Sequence, residues 1–486
     1  MAKTLTGIED LPTSRFHKRI AFVAAGGPFC DGYLLGIIVV ALPFIAQDLA
    51  LNALQIGLIG AASLIGMFVG GVVFGPMTDR FGRQKMYVLN LAVFVICSLA
   101  HLLVHDVTAL FVLRFAMGSA LGADYPIATA LAAEFLPKKL RGPVLASLVL
   151  LMWVGYTLSL ATGLLVSGSP SSVWRYILAS AAIPSAFFLL LRLGIPESPR
   201  WLISAGRTED ARRIVAQHLG PQVDFQALVA ETRLSTSRRG IGFSSIRELL
   251  SRGYGRMLLF CSLFWMCQVA PSFAIKTYQP MLLQALGITH PFAGALVIVS
   301  FAILGTAIGM CVVNKIGRRT LCLASFALAA LALLLLATPL SSVATVTIVL
   351  FILFTIAEAA GSGLQFIYPN ELFPTDLRAT GMGLAMSASR IGAVAGTFLL
   401  PTVLIRFGSA TGLLIAGGIS LVGLVVSALM APETRGVSLA ATSAPASGSS
   451  AAARSDRRKE ARTELRACAP ASREGSSVPF CRRVKR

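Results

Sequence analysis

Long stretches without a charged side chain constrain this chain more than any other feature of its sequence. Residues 292–313 and 320–338 are two of several apolar blocks that carry no Asp, Glu, Lys or Arg. About 20 such residues, wound as a helix, cross a hydrocarbon layer of roughly 30 Å. Charged residues make up 13% of the 486 residues, against about 25% in soluble domains. The pattern predicts a polytopic α-helical membrane protein. It excludes a soluble enzyme, a disordered chain, a secreted disulfide scaffold and a transmembrane β-barrel, whose strands alternate polar and apolar residues.

Twelve membrane-spanning helices are predicted from these blocks. Their expected ranges are 20–46, 55–77, 86–104, 108–133, 143–167, 174–193, 256–284, 292–313, 320–338, 346–367, 379–401 and 409–430. A polar segment separates the sixth span from the seventh, and its charged stretches indicate short amphipathic surface helices. After Pro432 the chain becomes rich in Ala, Ser and Arg, which predicts a disordered tail. The expected units are an N-terminal six-helix bundle (1–193), a cytoplasmic linker (194–255), a C-terminal six-helix bundle (256–436) and a disordered cytoplasmic tail (437–486).

Lysine and arginine residues are concentrated in alternate loops between the predicted spans. The loops that follow spans 2, 4, 8 and 10 are basic, as are the linker and both terminal segments, whereas the other set of loops holds only Arg406. By the positive-inside rule the basic loops are cytoplasmic. We therefore expect a multi-pass membrane protein with both termini in the cytoplasm. The net charge of +20 is attributed to these loops and the tail rather than to nucleic-acid binding.

An internal repeat relates the two halves of the chain. Three motifs of the first half recur 235 to 237 residues later: Glu134-Phe-Leu-Pro-Lys-Lys-Leu-Arg141 as Glu371-Leu-Phe-Pro-Thr-Asp-Leu-Arg378, Asp79-Arg-Phe-Gly-Arg83 as Asn314-Lys-Ile-Gly-Arg318, and Pro196-Glu-Ser198 as Pro432-Glu-Thr434. Six spans in each unit, with both units starting on the same side, make a parallel repeat. Such halves pack around an axis along the membrane normal and leave a central cavity, which is the architecture of an alternating-access transporter.

The repeated motifs carry acidic and basic residues at the ends of helices. Span 2 ends near Asp79, and a tight turn at Gly82 presents Arg83. Acid and base can therefore bridge neighbouring helix ends in one conformational state and separate in another. We expect a charge network that latches the two halves on the cytoplasmic face. Its predicted members are Asp79, Arg80, Gly82, Arg83, Glu134, Arg141, Glu197, Arg200, Glu371, Arg378 and Glu433. The alternative is a set of ordinary surface pairs, worth about 0–1 kcal/mol each.

These motifs resemble those of the major facilitator superfamily, in particular its sugar porter branch and the related bacterial metabolite:proton symporters. The likeness covers roughly residues 15–436. It rests on the Asp-Arg-x-Gly-Arg loop, the two Glu-x-x-Pro-x-x-Leu-Arg turns and the Pro-Glu-Ser-Pro-Arg-Trp-Leu run after span 6. The resemblance implies an all-α membrane protein with twelve transmembrane helices in two parallel six-helix repeats. It also implies a protein of the cell inner membrane and secondary active transport by alternating access, coupled to protons.

Ionisable side chains inside the predicted spans are costly to bury, so each is a candidate functional group. By helix rise, four of them lie near the middle of their spans, namely Asp31, Asp124, Glu358 and Arg390. Arg114 lies nearer the outer side. In sugar:proton symporters an Asp of span 1 and an Arg of span 4 form the proton switch. The resemblance therefore implies that Asp31 carries the proton with Arg114 as its partner. A fixed Asp31–Arg114 ion pair is one alternative. Asp124 as the carrier, or titrating together with Asp31, is another.

The substrate site is predicted around Arg390, whose planar fork matches a carboxylate with two hydrogen bonds. The alternative is a permanent ion pair with Glu358 on the preceding span. Further candidates for substrate binding are Glu358, Gln268, Trp265, Gln365 and Tyr125. For Gln365 and Tyr125, core packing is an equal explanation. Lys276 lies roughly 30 Å along span 7 by helix rise. We expect it to snorkel at the outer interface.

Two departures from related transporters narrow the expected substrate class. Phosphate symporters carry an aspartate where this chain has Val269. Sugar porters carry a denser polar set in span 7 than the run Gln268-Val-Ala-Pro-Ser-Phe273 provides. A small organic anion, such as an aromatic or sugar acid, is therefore the expected substrate.

The sequence thus predicts a transporter that imports a small organic acid together with a proton. We expect a monomer that uses the proton gradient and no cofactor, holds no metal, binds no nucleic acid and is not an enzyme. The eight cysteines form no CxxC pair, and HExxH, GxSxG and phosphate-binding loop motifs are absent from the sequence. The alternatives are a sugar or polyol:proton symporter, an efflux antiporter and, from a different class, a non-transporting nutrient sensor. Such a sensor would tolerate the loss of Asp31, because it need not cycle.

Overall fold

The structure is a computed structural model that describes residues 10–166, 168–220, 222–236, 243–374 and 377–435. The predicted tail from residue 437 lies outside these ranges. Within them the regular structure is helical, with no β-strand. The α-helices are α1 (Arg15–Asp48), α2 (Ala53–Phe81), α3 (Arg83–Ala100), α4 (Val107–Phe135), α5 (Lys138–Leu165), α6 (Trp174–Ala179), α7 (Ala182–Arg192), α8 (Pro199–Ser204), α9 (Thr208–Ile214), α10 (Phe225–Thr236), α11 (Phe243–Ser251), α12 (Gly255–Thr277), α13 (Gln279–Ala285), α14 (Pro291–Ile316), α15 (Arg318–Leu336), α16 (Ala344–Ser362), α17 (Leu364–Leu372) and α18 (Arg378–Met430).

Eleven helical stretches of the described ranges are long and apolar enough to cross a membrane. The last of them, Thr380–Met430, contains a bend at Gly408, where φ is 84° and ψ is 168°. Glycine adopts this backbone conformation without the steric penalty of a side chain. The bend divides the stretch into two segments that are each long enough for a span. Counted in this way the described residues contain twelve spans, and the predicted all-helical fold class is confirmed.

Span 7 consists of two helices rather than the continuous helix predicted for 256–284. α12 ends at Thr277 and α13 begins at Gln279, with Tyr278 between them. The Tyr278 hydroxyl lies 2.9 Å from the Thr397 carbonyl oxygen and 3.3 Å from that of Ile56. The break therefore places a tyrosine between a span of the first half and a span of the second.

Close packing of α1 against α5 sets the position of the middle of α1. A Cβ atom at Gly32 would overlap the backbone of Met152, and one at Gly155 would overlap the backbone of Phe29. Glycines at both contacts let the two helix backbones approach each other closely, as small residues do at helix interfaces in membranes. Because Asp31 directly precedes Gly32, its position is fixed by this contact.

An apolar cluster attaches the linker to the first half. Leu202, Val215 and Leu228 of the linker are buried together with Ile20 of α1 and Phe135 of α4. Burying a large aliphatic side chain contributes about 1.5–3 kcal/mol. The described part of the linker is therefore a layer packed against the first bundle.

Candidate functional site

A charged cluster lies in the first half, at the end of the molecule that carries the basic loops. Glu197 Oε1 accepts hydrogen bonds from the backbone N–H groups of Arg83 and Gln84, each at 3.0 Å. Glu197 thereby caps α3, whose first N–H groups have no partner within the helix. The Arg83 guanidinium forms an ion pair with Glu134, and Glu134 also accepts a hydrogen bond from the Ser198 hydroxyl. The cluster joins the start of α3, the end of α4 and the segment after α7.

An equivalent cluster lies in the second half. Glu433 accepts hydrogen bonds from the backbone N–H groups of Arg318, at 3.0 Å, and Arg319, at 3.1 Å. Arg318 Nη2 lies 3.0 Å from Glu371 Oε1, and Glu371 also accepts a hydrogen bond from the Thr434 hydroxyl. Each member corresponds to a member of the first cluster, so the sequence repeat is also a structural repeat.

These contacts differ from the predicted latch between the halves, which is not formed in this conformation. Among the described residues, Arg83, Glu134 and Glu197 bind one another within the first half. Glu371 and Glu433 belong to the matching cluster in the second half. The physical reason is that each capping carboxylate finds free N–H groups and a positive helix end within its own bundle. The two clusters therefore stabilise each half separately in this conformation.

The predicted tight turn between spans 2 and 3 is present at Gly82. Its φ is 105°, a value that side chains disfavour. A Cβ atom there would also overlap the Glu197 carboxylate. The side chains of Asp79 and Arg141, two further predicted members of the network, lie outside the described residues.

The remaining predicted members of the latch make local contacts. Arg200 pairs with Glu231 of the linker at 3.1 Å. Arg378 Nε donates to the Phe373 carbonyl at 3.4 Å. Arg80 is exposed at the end of α2. In this conformation each of these contacts is local to its own half or its adjoining linker.

We expect Glu433→Gln to lower the melting temperature at pH 7 and to have a smaller effect as the pH falls below 4. Burial alone would raise the pKa of Glu433, but the backbone N–H groups of Arg435, Arg318 and Arg319 lower it. A carboxyl with a lowered pKa stabilises the fold fully above its unfolded value, about 4.3, and loses this contribution as the pH falls through the folded value. Removing a cap costs about 0.5–2 kcal/mol. Thermal melts at both pH values measure the effect, with Glu209→Gln as the control. An equal loss at both pH values would contradict it.

A cavity of about 170 Å³ lies between the two halves, and both halves contribute to its wall. Its aromatic side chains are Trp153, Tyr156, Trp265, Phe273 and Phe366. Its charged side chains are Asp31, Arg114, Lys276, Glu358 and Arg390. Among the described residues, no group of three or more His, Cys, Asp and Glu side chains could hold a metal ion.

Four of the predicted substrate residues line the cavity, namely Arg390, Trp265, Glu358 and Gln365. Gln268 does not. Its Nε2 donates to the Glu358 carbonyl at 3.3 Å, and its Oε1 accepts from Gln365 Nε2 at 3.1 Å. It therefore joins spans 7 and 10 behind the cavity wall. The Tyr125 side chain lies outside the described residues.

Asp31 and Arg114 face the same cavity but do not form a pair. Asp31 is 4% exposed, and within the described ranges its Oδ1 has no hydrogen-bond partner. Arg114 Nη1 donates to the Leu34 carbonyl at 3.4 Å. No carboxylate of the described chain lies within ion-pair distance of Arg114. Neither the predicted partnership nor the alternative of a fixed Asp31–Arg114 ion pair is thus present in this conformation.

Asp124 is paired with a cation that the sequence analysis missed. Arg192, the last residue of α7, places Nη1 at 2.8 Å from Oδ1 and Nη2 at 3.1 Å from Oδ2 of Asp124, and both side chains are fully buried. Nη1 also donates to the Tyr87 carbonyl at 2.6 Å, and the guanidinium carbon lies 3.3 Å from the centroid of the Tyr87 ring. The sequence held one signal for this pair. An aspartate near the midplane of the membrane needs a cation, and Arg192 is a basic residue at the end of span 6.

Lys276 is a cavity residue, so its predicted place at the outer interface is wrong. Its Nζ lies 2.6 Å from Glu358 Oε2, 2.8 Å from Ser272 Oγ and 4.3 Å from the centroid of the Trp153 ring. Helix rise gave the depth of Lys276 along span 7 but not the face from which it projects. Glu358 therefore pairs with Lys276, and the predicted alternative of a permanent pair with Arg390 is not formed.

Arg390 lines the cavity and has no acidic partner among the described residues. Within the described residues no carboxylate lies at ion-pair distance from it, and its Nε has no hydrogen-bond partner. Its guanidinium carbon lies 6.0 Å from the centroid of the Phe273 ring. Trp153 Nε1 is also buried without a partner among the described residues. Two residues of the cavity wall thus carry buried hydrogen-bond donors without a partner among the described residues.

The two halves are in contact at the end opposite the basic clusters. The Tyr156 hydroxyl lies 3.5 Å from the Lys276 carbonyl oxygen. Phe44 stacks on Phe292, with 6.0 Å between the ring centroids. Together with the contacts of Tyr278, they join the two halves on that side.

The sequence profile of the sugar (and other) transporter family matches residues 20–444. The chain belongs to this family. The transporter is 37% identical over 435 residues to the inner membrane metabolite transport protein YgcS of Escherichia coli, an alignment that covers 89% of this chain and 95% of YgcS. It is 26% identical over 403 residues to the niacin transporter NiaP of Acinetobacter baylyi, with 82% and 90% of the two chains covered.

The fold of this transporter is similar to that of the xylose transporter XylE of E. coli, solved in a partially occluded inward-open conformation. The TM-score is 0.75 at 21% sequence identity, and the match covers 87% of this chain and all of XylE. The predicted resemblance to the sugar porter branch of the major facilitator superfamily is confirmed, and so is the predicted fold. The proteins that this chain is similar to are transporters rather than enzymes.

Proposed function

We propose that this transporter carries a small organic acid, aromatic or derived from a sugar, together with a proton. The observation that carries the proposal is the charge of the cavity. Three cations and two acids line it, and one of the acids, Glu358, is already neutralised by Lys276. Arg390 and Arg114 have no carboxylate partner among the described residues, which favours a substrate that supplies one.

The aromatic side chains of the wall support a substrate with a ring. Trp265 and Phe366 meet edge to face, with 5.6 Å between their centroids. Trp153 lines the cavity from the other half. Ligand sites of this kind combine apolar faces with a few polar groups that fix orientation. A carboxylate on Arg390 and a ring between the indoles would use both parts of the wall.

Asp31 is proposed to be the proton carrier. A carboxyl that is buried without a hydrogen bond is less costly in its neutral form than in its charged form. Protonation of Asp31 leaves the positive charge of Arg114 and Arg390 to attract an anion, whereas ionised Asp31 repels it. Proton and anion would thus bind together, and the proton gradient would be the driving force without any cofactor.

The proposed setting is the cell inner membrane, with both termini in the cytoplasm and the protein acting as a monomer. The basic loops support this orientation through the positive-inside rule, and YgcS is named as an inner membrane protein. In this orientation the contacts of Tyr278 and Phe292 close the outer side, and the cavity faces the cytoplasm. We also propose that 1–193 and 256–436 are the units that move against each other, with 194–255 attached to the first.

Uptake into proteoliposomes tests the proposal with pairs of compounds that differ in a carboxylate. Nicotinate is compared with nicotinamide, and glucuronate with glucose, with and without an imposed proton gradient. Vesicles that lack the protein correct for passive entry of weak acids. We expect gradient-driven accumulation of an acid and no accumulation of its neutral counterpart. Accumulation of glucose, or of xylose, would instead support a sugar or polyol symporter. Export of a compound from the vesicles in exchange for protons would support an efflux antiporter. Binding of a compound without transport would support a sensor.

A further inference from the structure

The buried pair of Asp124 and Arg192 lies against α1, one helical turn from Asp31. Gly27 precedes Asp31 by four residues, so the two positions share one face of the helix, about 5–6 Å apart. A Cβ atom at Gly27 would overlap Asp124 Oδ2 and Arg192 Nη2. Asp124 and Arg192 are also the charged groups that act electrostatically on Asp31. The three side chains therefore form one cluster, defined here as the proton cluster.

The proton cluster contains two acids and one cation, all removed from water. Asp31 is 4% exposed, and the side chains of Asp124 and Arg192 are fully buried. With both acids ionised the cluster would carry one net negative charge in a medium that stabilises charge poorly. One bound proton makes the cluster neutral.

The geometry indicates which acid holds that proton. Asp124 uses both of its oxygens on the guanidinium fork, at 2.8 and 3.1 Å, and this two-point contact is one that an ionised carboxylate makes. Asp31 has an oxygen without a hydrogen-bond partner among the described residues and faces the cavity. We propose that Arg192 is a positioning residue that keeps Asp124 charged and thereby places the single proton of the cluster on Asp31. This inference rests on the proposed function, in which Asp31 exchanges a proton.

The surrounding groups leave this charge count unchanged. Cys30 and Tyr87 lie beside the cluster, and Tyr156 lies on α5; thiol and phenol groups are uncharged at neutral pH. Arg114 of α4 lies in the same cavity wall but contacts the backbone of Leu34. The charged groups across the cavity, in the second half, are Lys276, Glu358 and Arg390. Of these, Lys276 and Glu358 neutralise each other.

Release of the proton would change the packing as well as the charge. The O–H bond of Asp31 breaks, the proton passes to water in the cavity, and the electron pair stays on the carboxylate. Two carboxylates then compete for a single guanidinium, so Arg192 attracts α1 as well as α4. Proton release is thereby linked to the contact of α1 with α4 and α7.

Infrared spectroscopy of the purified full-length protein tests this inference without a substrate. The measured quantity is the carbonyl band of protonated carboxyl groups at pH 7. Asp31→Asn should remove the band of the cluster. Arg192→Gln should about double it, because two acids without a cation bind two protons. Asp124→Asn should remove it, because Arg192 then pairs with Asp31, and the double variant Asp124→Asn/Arg192→Gln should restore it. Glu358→Gln is the control and should leave the band unchanged.

A band in Arg192→Gln that equals the wild-type band would overturn the inference. If Arg192→Gln does not fold, the test uses Arg192→Lys and the double variant Asp124→Asn/Arg192→Gln. Both variants should give a band equal to that of the wild type. Loss of the band in both would also overturn it. These outcomes are separate from the proposed function. If the protein shows the expected band pattern but accumulates no acid, proton-coupled transport is contradicted. The proposed role of Arg192 in the proton cluster is not. A band that persists in Asp31→Asn would contradict the cluster, whatever the uptake results.

Discussion

Asp31→Asn is expected to abolish proton-driven accumulation of the substrate while leaving its exchange across the membrane intact. Asparagine has a similar size but releases no proton, so the carrier can still alternate without being tied to the gradient. A gradient of about one pH unit is worth about 1.4 kcal/mol and sustains about tenfold accumulation with one proton per substrate. With this variant, the substrate should reach nearly equal concentrations on the two sides of the membrane. Counterflow of labelled substrate in the same vesicles should remain near the wild-type rate.

Asp48→Asn is the matched control for this experiment, because Asp48 lies on the same helix but outside the cavity. Its carboxylate accepts hydrogen bonds from Trp174 Nε1 at 2.9 Å and Arg175 Nη1 at 3.1 Å, and the amide oxygen of asparagine can still accept one. This variant should accumulate substrate as the wild type does. If Asp31→Asn still concentrates substrate, Asp31 is not the carrier, and Asp124 becomes the next candidate.

The membrane-spanning helices could be predicted because their signal is local. Each apolar block carries its own length and composition, and Gly408 marks the boundary between the last two spans. The break of span 7 at Tyr278 could not be predicted in the same way. It depends on where the Tyr278 hydroxyl meets Ile56 and Thr397, which lie far away in the sequence. Periodicity contains no information about such a contact.

The depth of the cavity residues was predictable, but their pairing was not. Helix rise placed Asp31, Glu358 and Arg390 near the midplane, and all three line the cavity. Pairing depends on the faces that neighbouring helices turn toward each other, which a single sequence does not specify. Lys276 was therefore assigned to the outer interface, and Arg192 was overlooked.

The contacts of the predicted latch residues in this conformation could not be predicted, for a related reason. The motifs that contain Glu197 and Glu433 were identified correctly as pairs of a repeat. Their partners, however, are helix N-termini within one half. A carboxylate near a helix N-terminus is stabilised by free N–H groups and the helix dipole, whether or not a second bundle is present. The sequence showed the charges but not the backbone groups that they cap.

Arg390→Lys is expected to weaken binding of the transported acid by roughly 10- to 150-fold. A lysine keeps the charge but offers a point charge in place of two parallel hydrogen bonds, so it cannot reproduce a two-pronged contact with a carboxylate. Charge-assisted hydrogen bonds of this kind contribute about 1.5–3 kcal/mol, which gives the stated range. Binding can be followed by tryptophan fluorescence, because Trp153 and Trp265 line the cavity. The ligand is the acid that accumulates in the uptake experiment.

The control for this substitution is Arg406→Lys, because Arg406 is an exposed arginine on the same helix, α18. It should bind the acid with unchanged affinity. A double-mutant cycle then separates an anion site from a structural ion pair. Because Glu358 pairs with Lys276 at 2.6 Å, the effects of Arg390→Gln and Glu358→Gln on affinity should add to within about 0.5 kcal/mol. Strong coupling, with the double variant binding the acid almost as tightly as the wild type does, would mean that Arg390 and Glu358 form a structural ion pair. Arg390 would then not be the cation that binds the substrate, and neutral sugars and polyols would become the better substrate class.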